Sequence, residues 1–323
     1  MALPRLRSGT GRLAAALAAL ALAVTACGGD GNSTSPKSGR QRITVAAVPL
    51  ADEAALYLAQ DRGLFRKEGL DVRIQPVQQS IQALPALAKG QVDLIAGANY
   101  VTFLQAYDKG TLDLRIVAEG ARAASHMMDV LVPKDSPIKS VSDLKGKKVA
   151  VNILNNIQSL TLDAILDARG AGRPVYRQIT FPQMGPALQK GQVDAVHAAE
   201  PFDSALQRDL GARVLVDGAS PPVRLIPISG YVTTGRFAAK NPGAVAAFQR
   251  ALAAAAALAT RTPDAVRREL PTFTKVTAGQ ARTIRLPAYP EKADVAQLRR
   301  LVALMRAQGL LTKDVDPGSL LVK

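Results

Sequence analysis

Short apolar runs alternate with amphipathic segments along most of the chain. Stretches such as 43–48, 70–77 and 92–97 have the length of buried strands, and each is followed by a polar turn and a segment with helical spacing of apolar residues. This alternation continues to residue 216, and the chain from 242 onward reads as helical. Alternating strands and helices predict an α/β protein with mostly parallel sheets covered by helices.

One segment occurs twice, 101 residues apart. Leu84–Asp93 reads LPALAKGQVD, and Gly185–Asp194 reads GPALQKGQVD. In each copy a helix is expected to end at Lys-Gly, where glycine takes the left-handed conformation, before a buried strand begins. Two such units in a chain of 323 residues with 48% hydrophobic content predict two similar α/β lobes.

The patterns divide the chain into four parts. They are a signal peptide at 1–26, a flexible tether at 27–41, a first lobe built from 42–124 and 232–323, and a second lobe at 125–231. The segments 127–132 and 228–234 are predicted to cross between the lobes. Two crossings would form a hinge.

The first 27 residues differ in kind from the rest. Three arginines precede an Ala/Leu run from Leu13 to Val24, which is too short for a mature transmembrane helix and is typical of an export signal. The small residues before Cys27 resemble a bacterial lipobox, which implies cleavage before Cys27 and lipid attachment to its thiol. A plain secretory signal is the alternative. Because Cys27 is the only cysteine, no disulfide can form within one chain.

Net charge adds little to this picture. Without the three arginines of the signal, 38 basic and 26 acidic residues remain. The basic residues are scattered and lack interleaved aromatics, so nucleic acid is not a predicted partner. A basic surface on an exported protein favours anionic membrane or cell-wall polymers.

Several motifs, taken in order, resemble a known family. The LAQDRGLFRKEGLDV run ending at Val72, the two KGQVD copies, the VPKDSPIKSVSDLKGKKVAV run ending at Val151 and the AEPF motif at 199–202 are similar to solute-binding proteins of ABC importers. The similar group binds nitrate, sulfonates, taurine or thiamine pyrimidine precursors. The resemblance implies a two-lobe type II periplasmic-binding-protein fold, each lobe a mostly parallel sheet flanked by helices, joined by two crossing segments.

Ligands of open α/β sheets contact the loops after the strands. Applied to the predicted strands, this rule nominates a set of cleft residues: Pro49, Asp52, Ser80, Asn99, Tyr100, Asn155, Asn156, Gln158 and Glu200. Tyr231 joins them because it lies on the predicted return crossing. Adding the repeat offset of 101 to Asn99 gives Glu200, so these two residues are expected to approach the cleft from opposite sides.

Four of these residues have two interpretations each. Ser80 and the pair Asn155 and Asn156 precede predicted helices, so they either cap those helices or help bind an oxyanion there. Glu200 either starts the next helix or points inward, where it would favour an amine or ring N–H over a sulfonate.

Enzymatic chemistry is not predicted. The chain has two histidines, His126 and His197, and neither has an evident catalytic partner in the sequence. Zinc spacings, phosphate-binding loops and nucleophile elbows are missing from the sequence, and no cofactor or metal is expected. The predicted function is a monomeric, lipid-anchored receptor on the outer face of the cell membrane. It would bind a sulfonate-like anion or zwitterion for an ABC permease; alternatives are a pyrimidine-type thiamine precursor as ligand, or a sensory role.

Overall fold

The computed structural model describes residues 39–322. Signal peptide, lipobox and most of the predicted tether lie outside these residues. Ten strands are present in the described part of the chain: β1 (Gln41–Ala47), β2 (Leu70–Pro76), β3 (Leu94–Asn99), β4 (Leu114–Arg122), β5 (Asp129–Val132), β6 (Lys148–Val151), β7 (Val175–Gln178), β8 (Ala195–His197), β9 (Arg213–Asp217) and β10 (Pro227–Thr234).

Helices separate most of these strands. They are α1 (Ala54–Asp61), α2 (Leu64–Lys67), α3 (Leu84–Ala88), α4 (Tyr100–Asp108), α5 (Ile157–Ala168), α6 (Phe181–Gln189), α7 (Phe202–Leu210), α8 (Gly235–Lys240), α9 (Pro242–Arg261), α10 (Pro263–Phe273), α11 (Ala278–Ala281) and α12 (Val295–Ala307). Short 3-10 turns add to them at Ala51–Glu53, Ser80–Ala83, Val141–Leu144 and Pro317–Leu320.

The strands form two sheets of five with the same design. One has the order β2-β1-β3-β10-β4 and the other β7-β6-β8-β5-β9. In the first, β10 runs antiparallel to both neighbours, and in the second β5 does. The other four strands of each sheet are therefore parallel, which confirms the predicted mostly parallel sheets.

The crossings lie beside the segments predicted for them. Residues 129–132 and 227–234 are the antiparallel strands β5 and β10, so they belong to the sheets themselves. The chain passes between the sheets at 123–128 and again at 218–226. The apolar residues of β5 and β10 suit a strand within a sheet as well as a crossing between sheets, so the sequence pattern alone could not distinguish these two possibilities.

Both faces of the first sheet are buried, because alternate residues of its strands point to opposite sides. Val45, Ala47 and Leu94 pack into one apolar cluster with α1 and α9, whereas Ala46 and Ile95 join a larger cluster that also includes the second sheet. The α9 helix is long and apolar enough to pass for a membrane span, but 56% of its most apolar stretch is buried and it belongs to the first cluster.

The repeated segment forms the same structure twice. The leucines of α3 and α6, Leu87 and Leu188, are buried, and the glycines after these helices have φ angles of 71° at Gly90 and 63° at Gly191. Such left-handed φ values favour glycine at a helix end. Each copy then continues into a strand that pairs parallel with the strand at the second position of its sheet, β3 with β1 and β8 with β6.

Candidate functional site

A cavity of about 50 Å³ lies between the two sheets, where the parallel strands end and the antiparallel strands begin. Its polar lining consists of Asp52, Ser80, Asn99, Asn152, Asn156, Gln158 and Ser229. Apolar groups complete the wall, among them Met127, Met128, Ile153 and Phe181. The cavity has room for a few water molecules. The part of the protein that carries the first sheet is called the first half, and the part that carries the second sheet is called the second half. A larger solute therefore requires the two halves to separate.

Hydrogen bonds between the halves hold this cavity closed. The side-chain amides of Gln79 and Gln105 donate to the backbone oxygens of Asn152 and Asn155, at 2.5 and 2.7 Å. The Asn99 Oδ1 atom accepts a bond of 3.3 Å from the backbone N–H of Ile157. Two of these acceptors are backbone atoms of the loop between β6 and α5, and the backbone oxygen of Glu200 accepts a further bond of 3.1 Å from the Ala51 N–H. The first half therefore closes on this loop and on the loop after β8.

Half of the predicted ligand residues line the cavity. They are Asp52, Ser80, Asn99, Asn156 and Gln158. Pro49, Tyr100, Asn155, Glu200 and Tyr231 are not part of its lining in the described structure. Asn155 is exposed with a left-handed φ of 52°, and Pro49 is half-buried. Ligand contact by any of the ten residues remains a prediction.

The beginning of α5 is fully engaged by protein groups. Asn156 caps the helix, and its Oδ1 accepts from the N–H groups of Gln158 and Ser159 at 3.1 and 3.2 Å. The N–H of Ile157 is bonded to Asn99 of the first half. Of the two interpretations of Asn156, capping is therefore the one observed. An anion could reach a free N–H here only after the halves part and release Ile157.

Gln158 holds the cavity wall in place. Its Oε1 accepts 2.8 Å bonds from the Asn152 N–H and the Asn156 side chain, and its amide donates to the backbone oxygen of His197 at the end of β8. These bonds fix the amide group. The residue thus joins α5, the β6 loop and β8 at one point.

Glu200 is buried, and its side chain is not part of the cavity lining. Its carboxylate accepts from the Ser204 hydroxyl at 2.6 Å, from the Ser204 N–H at 3.1 Å and from the Arg285 N–H at 2.9 Å. Bonding to the first turn of α7 agrees with the helix-start interpretation. Burial raises the pKa of Glu200, and these bonds partly offset that rise. The Glu200 side chain therefore does not line this cavity, and its expected position opposite Asn99 stays a prediction.

The two tyrosines among the predicted ligand residues belong to the core. Tyr100 is fully buried at the start of α4, and its hydroxyl donates to the Ala118 oxygen at 3.3 Å. Tyr231 lies two residues beyond Ser229 in β10 and is 1% exposed. Both rings pack between sheet and helices, and neither is available for stacking on a solute in the closed protein.

Asp52 is the one carboxylate of the lining, and no lysine or arginine joins it among the described residues. Its Oδ2 accepts a 2.7 Å bond from the Ser229 hydroxyl. Burial raises the pKa of Asp52, and the bond from Ser229 opposes the rise. The cavity is thus electrostatically matched to a hydrogen-bond donor or a cation.

A second acid, Glu53, lies behind the cavity wall. A methyl group placed on Gly97, which lines the cavity, would come within 3.1 Å of the Glu53 carboxylate. Burial and then the negative charge of Asp52 raise the pKa of Glu53 well above its usual value. The shift favours the neutral form of Glu53, and Asp52 is the acid that lines the cavity.

Sequence reasoning missed Ser229 and the two methionines of the lining. Ser229 is the third residue of β10, and Met127 and Met128 directly precede β5. The rule used for nomination considers the ends of parallel strands. An antiparallel strand has its beginning at that same edge. Including the beginnings of antiparallel strands in the rule would have identified all three residues.

Comparison with known proteins identifies the family to which this protein belongs. The family model described as "NMT1/THI5 like" matches residues 51–266. The protein belongs to this family.

Two curated relatives share about a third of their aligned residues with the chain. A putative thiamine biosynthesis protein of Haemophilus influenzae is 33% identical over 151 residues, 46% of each chain. A putative aliphatic sulfonates-binding protein of Escherichia coli K12 is 32% identical over 171 residues, 50% of this chain and 51% of the relative. The match therefore spans about half the length of these relatives.

Solved structures establish the fold. The alkanesulfonate-binding protein SsuA from Xanthomonas axonopodis pv. citri, bound to MOPS, superimposes with a TM-score of 0.74 at 23% identity, covering 87% of this chain and 98% of that one. The protein therefore has the type II periplasmic-binding-protein fold, as predicted. Other proteins with this fold include a nitrate-binding protein and the desulfurization enzyme DSZB. Fold alone does not separate binding from catalysis.

Proposed function

We propose that this protein is the extracytoplasmic solute-binding component of an ABC importer. The observation that carries the proposal is the cavity between the two sheets, lined from both halves and closed by bonds such as that between Asn99 and Ile157. Such a site binds by hinge closure, because residues on both halves contact the solute only when the halves meet. The lobes would be 42–124 with 232–323, and 125–231.

The lining favours a particular ligand class within this proposal. Asp52 supplies a buried acceptor, no basic side chain of the described residues lines the cavity, and the N–H groups of α5 are engaged. A bare anion such as nitrate or an alkanesulfonate would therefore face a carboxylate without compensation. We propose a solute with an N–H donor, which a taurine-like zwitterion has.

A pyrimidine-type thiamine precursor is the second candidate ligand. The amino group of an aminopyrimidine suits Asp52, and Met127, Ile153 and Phe181 provide an apolar surface for a ring. A relative named as a thiamine biosynthesis protein agrees with this choice. The carboxylate assigned to this role is now Asp52, in place of Glu200.

Matched ligand pairs separate these possibilities. Thermal unfolding would be followed with taurine against ethanesulfonate, and with 4-amino-5-hydroxymethyl-2-methylpyrimidine against its analogue without the amino group. A ligand that binds the folded state raises the unfolding temperature. We expect stabilisation by the amine-bearing member of one pair, and loss of that stabilisation in Asp52→Asn. Equal stabilisation by both members would contradict the role of Asp52.

Receptor and enzyme are distinguished by the fate of the solute. A binding protein returns the stabilising solute unchanged, so mass spectrometry after prolonged incubation should show no product. Deletion of the gene should lower uptake of that solute in cells. If uptake stays normal and only a signalling response changes, the sensory alternative applies.

The lipobox is part of the same proposal. We propose cleavage before Cys27 and attachment of diacylglycerol to its thiol, which would leave the tether between membrane and folded body. Labelling with a fatty-acid analogue should mark the wild-type protein, and Cys27→Ser should abolish the label and release the protein from membranes. Membrane retention of Cys27→Ser would contradict lipid anchoring.

A further inference from the structure

Three potential metal ligands converge away from the solute cavity. The ring of His126 and the carboxylates of Asp129 and Asp217 each offer an atom within 4.8 Å of the other two. Asp129 begins β5 and Asp217 ends β9, and the two residues are directly paired in the sheet. The backbone therefore fixes two of the three groups side by side, and the third lies three residues before β5.

Asp129 has an incompletely bonded carboxylate in the protein interior. The residue is fully buried, and its Oδ2 lies 3.0 Å from His126 Nδ1. Its Oδ1 has no hydrogen-bond partner in the described part of the chain. A buried carboxylate oxygen without a partner is costly, and a cation is the group that would satisfy it.

Hydrogen bonds leave one further carboxylate of the cluster able to bind a cation. The Asp203 carboxylate lies against the cluster and accepts a 2.7 Å bond from the Asp129 N–H, but burial raises the pKa of Asp203 to about 8, so it adds little negative charge near neutral pH. Asp217 accepts from the Ser125 hydroxyl at 2.6 Å and from the N–H groups of His126 and Ala219 at 3.1 and 2.8 Å. Each of its oxygens has two lone pairs, so these bonds leave acceptor capacity for a metal.

The cluster is accessible from solvent. A groove of about 630 Å³ is lined by His126, Asp129 and Ser204, and the His126 side chain is 51% exposed. Arg208 and Arg285 line the same groove and oppose a cation there. The Arg208 guanidinium is bonded to Asp209 at 2.7 and 2.8 Å, which directs part of its charge away from the cluster.

We propose that His126, Asp129 and Asp217 bind a divalent transition metal. One imidazole and two carboxylates suit Zn²⁺, which accepts nitrogen and oxygen ligands and can complete its coordination with water. His126 belongs to the outgoing crossing and Asp217 directly precedes the return crossing. A bound ion would thus tie the two crossings together at the hinge. This site is separate from the solute cavity and does not depend on the proposed import function.

The test is a zinc titration of the full-length protein carrying Cys27→Ser, so that its one thiol cannot bind the metal. Calorimetry should show one Zn²⁺ per chain, and Co²⁺ in place of Zn²⁺ should give visible absorption bands that depend on the same residues. His126→Ala, Asp129→Asn and Asp217→Asn should each weaken Zn²⁺ binding by about 100-fold, because changes even to the partners of metal ligands cost about 10- to 100-fold. Asp314→Asn, a carboxylate 87% exposed at the surface, is the control and should bind normally.

Two results would overturn the proposal. One is the lack of stoichiometric Zn²⁺ binding, and the other is binding that His126→Ala leaves unchanged. His126 is half-exposed, so its replacement is expected to leave the fold intact even if Asp129→Asn does not fold. The circular dichroism spectrum of each variant would verify folding, and the result for His126→Ala decides between the outcomes. The solute plays no part in this titration.

Discussion

The two copies of the repeat share their framework and differ in their contribution to the site. In each copy the final aspartate accepts a 2.7 Å bond from an N–H of the neighbouring parallel strand: Asp93 from Thr44 in β1 and Asp194 from Lys148 in β6. Beyond that point the copies diverge, because Asn99 ends β3 at the cavity whereas Glu200 is bonded to α7. The repeated residues therefore encode strand attachment, and the ligand site depends on the residues at the far ends of the two strands.

Strand length explains the divergence. The first-copy strand β3 runs to Asn99, and α4 begins at the next residue. The second-copy strand β8 ends at His197, which the repeat offset aligns with Ala96, three residues before the end of β3. A longer loop then carries Glu200 to α7. The offset of 101 residues therefore relates structurally equivalent residues inside the repeat, but not at the ends of the strands that follow it.

The largest expected effect tests whether both copies stabilise the protein equally. Leu87→Ala and Leu188→Ala each remove a buried side chain, of which 2% and 4% is exposed. Each substitution should lower the free energy of unfolding by about 2 to 5 kcal/mol, measured by urea denaturation. A lower free energy of unfolding for one variant, with no change for the other, would show that the two copies are not structurally equivalent.

One pH effect should come from the second copy. His197 occupies the position of Ala96 in the first copy, and burial lowers its pKa from 6.5 to about 4. The His197 side chain takes up a proton below pH 6.5 in the unfolded chain, but only near pH 4 in the folded protein. Stability should therefore fall by about 3 kcal/mol as the pH drops through this window. His197→Leu should remove this part of the loss in acid denaturation, and an unchanged acid profile would contradict the assignment.

The two aspartates test the shared framework directly. Asp93→Ala and Asp194→Ala each leave a strand N–H without its carboxylate acceptor. Each should cost about 1 to 3 kcal/mol in urea denaturation. Asp93→Asn and Asp194→Asn keep a side-chain oxygen and are the matched controls, with smaller expected losses. Alanine variants as stable as the wild type would remove the role assigned to the repeated aspartate.

The smallest effect concerns the repeated glycines. An added Cβ at Gly90 or Gly191 meets no atom within 4 Å, so only the left-handed φ opposes alanine. Gly90→Ala and Gly191→Ala should each cost about 1 kcal/mol, partly offset by the reduced freedom of the unfolded chain. Thermal unfolding would measure both. A substantial stabilisation by either variant would contradict the helix-end function of its glycine.

Much of the fold was readable from the sequence because its signals are local. Apolar runs and the KGQVD repeat indicated strands, helix ends and two similar sheets. The antiparallel strands β5 and β10 were interpreted as crossings, since alternation alone does not tell which sheet a strand joins. Their position is decided by pairing between residues distant in sequence, such as Asp129 with Asp217.

The site was predicted less completely for a related reason. The rule for strand ends places a residue at the correct edge, and it found Asp52 and Asn99. The direction of a side chain at that edge depends on packing and on bonding partners elsewhere in the chain. Tyr100 faces the core, and Glu200 is bonded to a backbone N–H 85 residues away at Arg285.

Calorimetric titration of paired variants tests the central claim, that solute binds in the cavity between the sheets. The titrant would be taurine or the aminopyrimidine, whichever stabilises the wild-type protein. Asn99→Ala should weaken binding about tenfold, the equivalent of about 1.4 kcal/mol, whereas Glu200→Gln should leave affinity nearly unchanged. Loss of binding in Glu200→Gln together with normal binding in Asn99→Ala would contradict the account.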